Sequence, residues 1–466
     1  MAKYNAVVGQ SGGPTAVINS SVLGVINGCR QYLGDVGAVY GMHHGIEGLL
    51  GEELVNLTAQ PEVELRLLRT TPAAGSIGTC RYKLQSKDKT IFEEDYRRIV
   101  EVLRAHDIKY FFYTGGNDSM DTANRVSQFA KDMGYELIAV GVPKTIDNDV
   151  GGLLIPDTTT FSVIDHTPGY GSVARFGAHR LQEANEENAG SCTDDPVLVM
   201  QAMGRKIGFI PAAYRLGDPD RKIPLQIYLA ESGATLPQIR ENVNEQLGRD
   251  GRVIVVVSEG CEFGGKDAVS DAFGHTKLST GTPAAETLTF YLNSNGISAR
   301  GAARFEVYGT SQRNTIMHAS ARDLHEAYHA GLHAVRIARE SGTGWMSTIV
   351  RSPSDVYSVR YDKVPLADVA GSERKFPEEW IAKGGSDVTD DFLAYAAPLI
   401  ETRKLQTVDV RGWGDNDITK FLELNDEGAL AIPMDGDRYR FAQLDVSKRA
   451  EKKLEEYMPQ GHRPKS

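Results

Sequence analysis

The sequence predicts an α/β protein with doubly wound parallel sheet, and three observations carry that prediction. Residues 110–113, 137–140, 197–200 and 252–257 are short, nearly continuous apolar runs without in–out alternation, as expected of strands covered on both faces. Segments of helical periodicity lie between such runs, giving the β–α alternation of a parallel sheet. Glycine-rich or charged insertions follow the runs at their C-terminal ends, where open α/β sheets bind ligands.

Taken in order, Ala6-Val7-Val8 opens a first strand and leads into Gly9-Gln10-Ser11-Gly12-Gly13-Pro14. Pro14 suits the first position of a helix over 14–33. A second helix is expected over 93–106 and a strand over 110–113. Gly115-Gly116-Asn117-Asp118-Ser119 then opens a helix over 118–133, with Asp118 or Ser119 able to cap it. The strand at 137–140 runs into Pro143-Lys144-Thr145-Ile146-Asp147-Asn148-Asp149, and that at 197–200 into Met203-Gly204-Arg205. A helix over 236–247 precedes the strand at 252–257 and Ser258-Glu259-Gly260. Residues 322–339 read as a helix that places His325, His329 and His333 on one face, a surface or interface stripe. Beyond it, 344–360 is sheet-like, 362–376 loop-rich, and 438–466 ends in a charged helix whose stretch 448–456 is a solvated face. No role is legible for the last hundred residues.

Bulk properties exclude some functions. A chain of 466 residues, 41% hydrophobic and 24% charged, is long enough for two to four domains of ordinary globular composition. Its net charge of −11 argues against nucleic acid or a membrane surface as the partner. No signal peptide is evident at the start, and no apolar run approaches the ~18–20 residues that span a bilayer. The four cysteines are far apart and lack metal-ligand spacing, consistent with free thiols. A cytoplasmic location is expected.

The insertions supply the chemistry. Gly12 and Gly13 let backbone approach a ligand, and N–H groups at a helix start favour an anion. The 115–119 loop repeats that arrangement and adds acidic and amide oxygens. In Pro143 to Asp149, two carboxylates two residues apart beside a lysine suit a site where a hydroxyl loses its proton while phosphate charge is neutralised.

In kind and order these motifs resemble the phosphofructokinase family: the initial Gly-Gly turn, Gly78-Thr79-Cys80-Arg81, the Gly115-Gly116 loop, Thr145 to Asp149, Met203-Gly204-Arg205 and Glu259-Gly260. The likeness runs from residue 5 to about residue 320. It implies two Rossmann-like doubly wound domains with the active site in the cleft between them. The donor domain would comprise 1–160 plus about 312–365, the sugar-phosphate domain 161–311, and a C-terminal extension 366–466. The resemblance makes Asp147 the general base toward the C1 hydroxyl of fructose 6-phosphate. Thr145 and Asp149 would help hold the transferring phosphoryl group and magnesium, with Asn117 the second metal position. Gly12, Gly13, Arg81, Gly116 and Ser119 fall on the donor side. Met203, Gly204, Arg205, Glu259 and Thr310 would contact the sugar phosphate, with Arg304 and Arg313 as a clamp on its 6-phosphate. A homo-oligomer, dimer or tetramer, is also implied.

Two positions bear on the donor. ATP-using members resemble Gly-Gly-Asp-Gly-Ser in the loop and carry Gly before Thr-Ile-Asp-Asn-Asp; Asp118 and Lys144 stand in place of those glycines. That pairing is similar to the family's pyrophosphate-dependent branch. A carboxylate at 118 occupies space and opposes a nucleotide's inner phosphate; like charges ~4 Å apart cost about 1–4 kcal/mol. Lys144 offers a compact cation to a small, highly charged donor. Asn117 stands where the family usually has an acidic magnesium ligand, so its oxygen carries no formal charge. An ATP-dependent enzyme with unusual loops and a catalytically silent, sugar-phosphate-binding regulatory subunit remain as alternatives at this point.

Overall fold

The computed structural model describes residues 4–34, 36–71, 76–86, 88–152, 154–156, 158–263, 282–353, 356–370, 373–400 and 441–464. Eleven strands are described: β1 (Tyr4–Gln10), β2 (Val36–Met42), β3 (Leu54–Asn56), β4 (Ile108–Gly115), β5 (Ile138–Pro143), β6 (Val197–Ala202), β7 (Leu225–Tyr228), β8 (Val253–Ser258), β9 (Ala303–Val307), β10 (Trp345–Arg351) and β11 (Val359–Pro365). They form a seven-stranded sheet, β11-β10-β5-β4-β1-β2-β3, and a four-stranded sheet, β7-β8-β6-β9. All neighbours are parallel except β2–β3 and β10–β11, at the two ends of the larger sheet.

The continuous apolar runs have the physical cause expected of them. In β4, Phe111 and Tyr113 enter one buried cluster while Tyr110 and Phe112 enter the cluster on the opposite face. In β6, Leu198 and Met200 face one core and Val197 and Val199 another. Each strand is buried twice, so neither face is left for polar residues. In the larger sheet the chain steps from β1 to β2 in one direction and later from β4 to β5 in the other. The C-terminal ends of β1 and β4 therefore flank a topological switch point, the ligand crevice of an open sheet.

Several local expectations need correction. The first helix spans Ile18–Tyr32, so Pro14 lies four residues before it rather than at its first position. The Ala16 amide there donates to the Arg313 carbonyl at 2.8 Å, and this tertiary bond engages the segment ahead of the helix. The helix after β4 is Asn117–Asp132 and its N-cap is Gly116, so neither Asp118 nor Ser119 caps it. His325, His329 and His333 do share a face of the helix Ala321–Ser341 but are half-buried, the His325 and His329 rings 4.3 Å apart and Tyr361 beside both His329 and His333.

The C-terminal residues are not a charged helix where they are described. Residues 441–464 hold only a short 3₁₀ turn at Gln460–His462. The Asn56 amide donates to the Lys448 carbonyl at 2.7 Å and the Ala450 amide to the Leu54 carbonyl at 2.8 Å, so pairing with the edge strand β3 outweighs helical propensity. Ala450, Leu454 and Tyr457 pack against the core of the larger sheet. Residues 373–400 instead complete the core beneath the smaller sheet, where Phe376, Trp380, Phe392 and Tyr395 join Met200, Phe209 and Ile227. Among the described residues no helix is long and apolar enough to cross a membrane.

Candidate active site

Five loops converge where the C-terminal edges of the two sheets face one another. The turn after β1 is tied down by the Gly12 amide, which donates to the Cys80 carbonyl at 3.0 Å, and by Thr79 Oγ1, which donates to the Gly12 carbonyl at 2.9 Å. This pairing brings Arg81 beside Gly13. A Cβ on Gly13 would lie 2.9 Å from Arg313 Nη1 and 3.3 Å from Arg81 Nη2, so a side chain there would push back the two guanidinium groups that close over the backbone. Arg313 arrives on a short helix, Ser311–Asn314, and its Nε is buried without a hydrogen-bond partner.

Lys144 supplies a third cation. Its side chain is 3% exposed, and Nζ donates to the Ser11 carbonyl at 2.8 Å and the Gly13 carbonyl at 2.9 Å. Burial, reinforced by the charges of Arg81 and Arg313, pushes its pKa down to about 7. Asp118, on the segment after β4, is partly exposed and pairs with Lys83 at 3.1 Å. Gly116 and buried Ser119 shape the start of the helix Asn117–Asp132.

The carboxylates come next. The Asp147 amide donates to Thr145 Oγ1 at 3.1 Å. Arg205, reaching over from the loop after β6, donates from Nε to Asp147 Oδ2 at 3.1 Å and from Nη2 to Asp149 Oδ2 at 2.9 Å. Burial, then the neighbouring Asp147 charge, push Asp149 up to about pKa 6. For Arg205, burial lowers the pKa but the two carboxylates outweigh it and leave a net rise. Gly204 (φ +119°) and Arg205 (φ +51°) both occupy left-handed backbone, a conformation costly for arginine and kept only where surroundings impose it. Glu259 Oε1 imposes it by accepting from the amides of Gly204 at 3.2 Å and Arg205 at 2.9 Å. Burial raises the Glu259 pKa. The Met203 amide donates to Gln312 Oε1 at 3.0 Å, tying this loop to the helix that carries Arg313.

The sequence-derived set is therefore largely assembled, with two exceptions. Arg304, on β9, pairs with Glu187 and lies 3.8 Å from Asp195, so it does not join Arg313 as a clamp within the chain. Thr310 is exposed at the N-cap of Ser311–Asn314. Sequence reasoning missed Lys83 and Gln312; both are ordinary polar residues whose roles depend on contacts across long sequence separations.

Magnesium is testable against the donor atoms. Asn117 Oδ1 and Asp149 Oδ1 are both buried without a hydrogen-bond partner. Two orphaned hard oxygens on the segments that follow the neighbouring strands β4 and β5 fit a cation that takes its remaining ligands from water and substrate. No cluster of three or more His, Cys, Asp or Glu side chains suited to a metal occurs among the described residues.

Comparison with known proteins identifies the family. The family model described as phosphofructokinase matches residues 5–338. A protein of Halomonas elongata named pyrophosphate–fructose 6-phosphate 1-phosphotransferase is 38% identical over 413 residues, 86% of this chain and 93% of the relative. The crystal structure of a pyrophosphate-dependent phosphofructokinase from Nitrosospira multiformis superimposes with a TM-score of 0.78 at 31% identity, covering 98% of this chain and all of that one. A second, from Marinobacter aquaeolei, gives 0.77 at 32% identity, covering 98% and 99%.

Proposed function

The chain belongs to the phosphofructokinase family, and from that premise we propose that it transfers a phosphoryl group from pyrophosphate to the C1 hydroxyl of fructose 6-phosphate, reversibly, giving fructose 1,6-bisphosphate and phosphate. The observation that carries the choice of donor is Lys144: a fully buried ammonium, held by two carbonyls between Arg81 and Arg313, makes a compact cationic socket. Such a socket matches a small polyanion, and in this reading Asp118, on the neighbouring segment, sets a carboxylate where a nucleotide would continue.

In this reading residues 1–160 with about 312–365 hold the donor and residues 161–311 hold the sugar phosphate. The Gly12–Gly13 turn, Arg81, Gly116, Ser119 and Lys144 bind pyrophosphate, and Arg81 and Lys144 stabilise charge on the leaving phosphate. Asp147 takes the proton from the C1 hydroxyl. Arg205 links this base to Asp149 and to the sugar-binding loop, so closing the two lobes on substrate aligns base and donor together. Met203, Gly204 and Glu259 line the sugar side, and the unpartnered Nε of Arg313 faces the 6-phosphate in this reading. Asn117 and Asp149, with Thr145 nearby, would hold magnesium, which would neutralise phosphoryl charge and help orient the donor.

A homo-oligomer in the cytoplasm completes the proposal. Support comes from the large apolar side chains exposed on β9 and the adjoining helix, Phe290, Phe305 and Val307, and from cysteines that are free. One assay panel tests the function: purified protein, fructose 6-phosphate and magnesium, with pyrophosphate or ATP as donor. Turnover with pyrophosphate is expected; turnover with ATP alone overturns the donor assignment.

A further inference from the structure

We infer that Arg374, in the C-terminal extension, is a positioning residue for Asp147 and Asp149, an inference that rests on the function proposed above. The loop carrying these carboxylates turns through Asn148, which is fully buried and has φ +57°. A left-handed asparagine between two acidic residues does not hold itself in place; surrounding contacts must fix it. The Thr167 amide donates to Asn148 Oδ1 at 3.1 Å, and further contacts come from the extension.

Arg374 is 3% exposed, and each guanidinium nitrogen has an acceptor. Nε donates to the Asn148 carbonyl at 2.9 Å, and Nη2 to Asn148 Oδ1 at 2.5 Å. Nη1 donates to the carbonyls of Ile164 and Asp165, both at 3.0 Å. The Arg374 amide donates to the Asp149 carbonyl at 2.8 Å. The guanidinium also lies 4.1 Å from the centre of the Phe161 ring. Asn148 Nδ2 donates in turn to Tyr395 Oη at 2.8 Å, and that hydroxyl donates to the Asp165 carbonyl at 3.0 Å. The side chain of Asn148 is thus gripped at both ends by residues 374 and 395, which the sequence motifs do not reach. A planar fork is needed to serve acceptors in several directions at once, and a lysine in its place cannot reproduce it.

The test compares wild-type protein with Arg374→Lys, Tyr395→Phe and Val388→Ala. Val388 is buried in the same core cluster and serves as a packing control. Arg374→Lys is expected to lower kcat about a hundredfold, the cost of displacing a catalytic group by about 1 Å, while KM for fructose 6-phosphate and pyrophosphate stays within about threefold. Tyr395→Phe, which removes one hydroxyl and keeps the ring, is expected to lower kcat about tenfold with the same KM pattern. Val388→Ala is expected to lower Tm and leave kcat unchanged. The inference is overturned if Arg374→Lys retains kcat within threefold, or if Val388→Ala loses kcat in proportion to Tm. Should Arg374→Lys not fold, Tyr395→Phe decides, and unchanged kcat there is fatal. A wild-type protein that turns over neither donor overturns the functional reading, and the inference with it, an outcome distinct from the loss confined to variants.

Discussion

Replacing Lys144 with methionine tests the donor socket most directly. The ordinary lysine pKa of 10.5 has fallen to about 7 in this site, a difference worth roughly 5 kcal/mol at about 1.4 kcal/mol per pH unit. The sign follows from linkage. The folded-state value lies below the unfolded one, so the penalty is fully present below pH 7, shrinks between pH 7 and 10.5, and is gone above that. The unliganded protein therefore holds a cation at a cost that an arriving anion removes. A unit charge ~4 Å from the ammonium gains ~4 kcal/mol at an effective dielectric of ~20, close to a thousandfold in binding. Lys144→Met is expected to reduce kcat/KM for pyrophosphate by about 10²–10³-fold and leave KM for fructose 6-phosphate within about threefold. Stability should change little, because relief of the cation is offset by two carbonyls, Ser11 and Gly13, that lose their donor at about 1–3 kcal/mol each. Calorimetry at pH 8 in buffers of different ionisation heat supplies a second readout. Lys144 is mostly neutral there, so wild-type protein takes up close to one more proton per pyrophosphate bound than the variant does. Equal proton uptake, or wild-type pyrophosphate kinetics in the variant, refutes the reasoning.

Three further outcomes are expected. Asp118→Gly, ideally combined with Lys144→Gly, lowers pyrophosphate turnover sharply and admits ATP, because it removes the carboxylate that Lys83 now holds at 3.1 Å; wild-type pyrophosphate kinetics in the double variant would show that neither residue selects the donor. Asn117→Asp tightens magnesium about tenfold or more by adding charge at a buried, unpartnered oxygen, and an unchanged magnesium requirement removes Asn117 from the coordination sphere. The kcat/KM profile has an acid limb set by Asp149, whose folded-state pKa of about 6 exceeds its ordinary 3.8, so the carboxylate is half protonated at about pH 6 and largely protonated about one pH unit lower. Raising magnesium moves that limb to lower pH, since metal and proton compete for the same oxygens, and a limb insensitive to magnesium excludes Asp149 as a ligand.

What the sequence revealed and what it hid divide along physical lines. The doubly buried strands were legible because burial on both faces writes itself into consecutive residues, as in Tyr110 to Tyr113. The loops were legible because backbone approach to phosphate needs glycine at particular places: Gly12 takes φ +79°, and a Cβ on Gly13 would displace the Arg313 guanidinium. Residues whose work depends on distant partners left no local mark. Pro14 looks like a helix start until the Ala16 amide is seen bound to Arg313. Residues 448–456 look like a solvated helix until their backbone is seen paired with β3. Arg304 and Arg313 look like a pair nine residues apart, yet β9 turns one toward Glu187 while the following helix turns the other over Gly13.

The extension illustrates the same divide with a functional consequence. Its sequence carries no motif because its contribution is to accept and donate around a motif that lies elsewhere. Asn148 sits between two acidic residues whose chemistry is evident from the sequence, yet its own amide is spent on holding the turn rather than on substrate. Seen this way, the segment Thr145 to Asp149 has two kinds of requirement. Asp147 and Asp149 face Arg205 and the cleft, while Asn148 faces away, into Arg374 and Tyr395. A substitution at Asn148 and one at Arg374 should therefore produce the same kinetic signature, a fall in kcat with KM retained, and the double variant should be no worse than either single one. Additive losses would mean that the two residues act on separate features of the site.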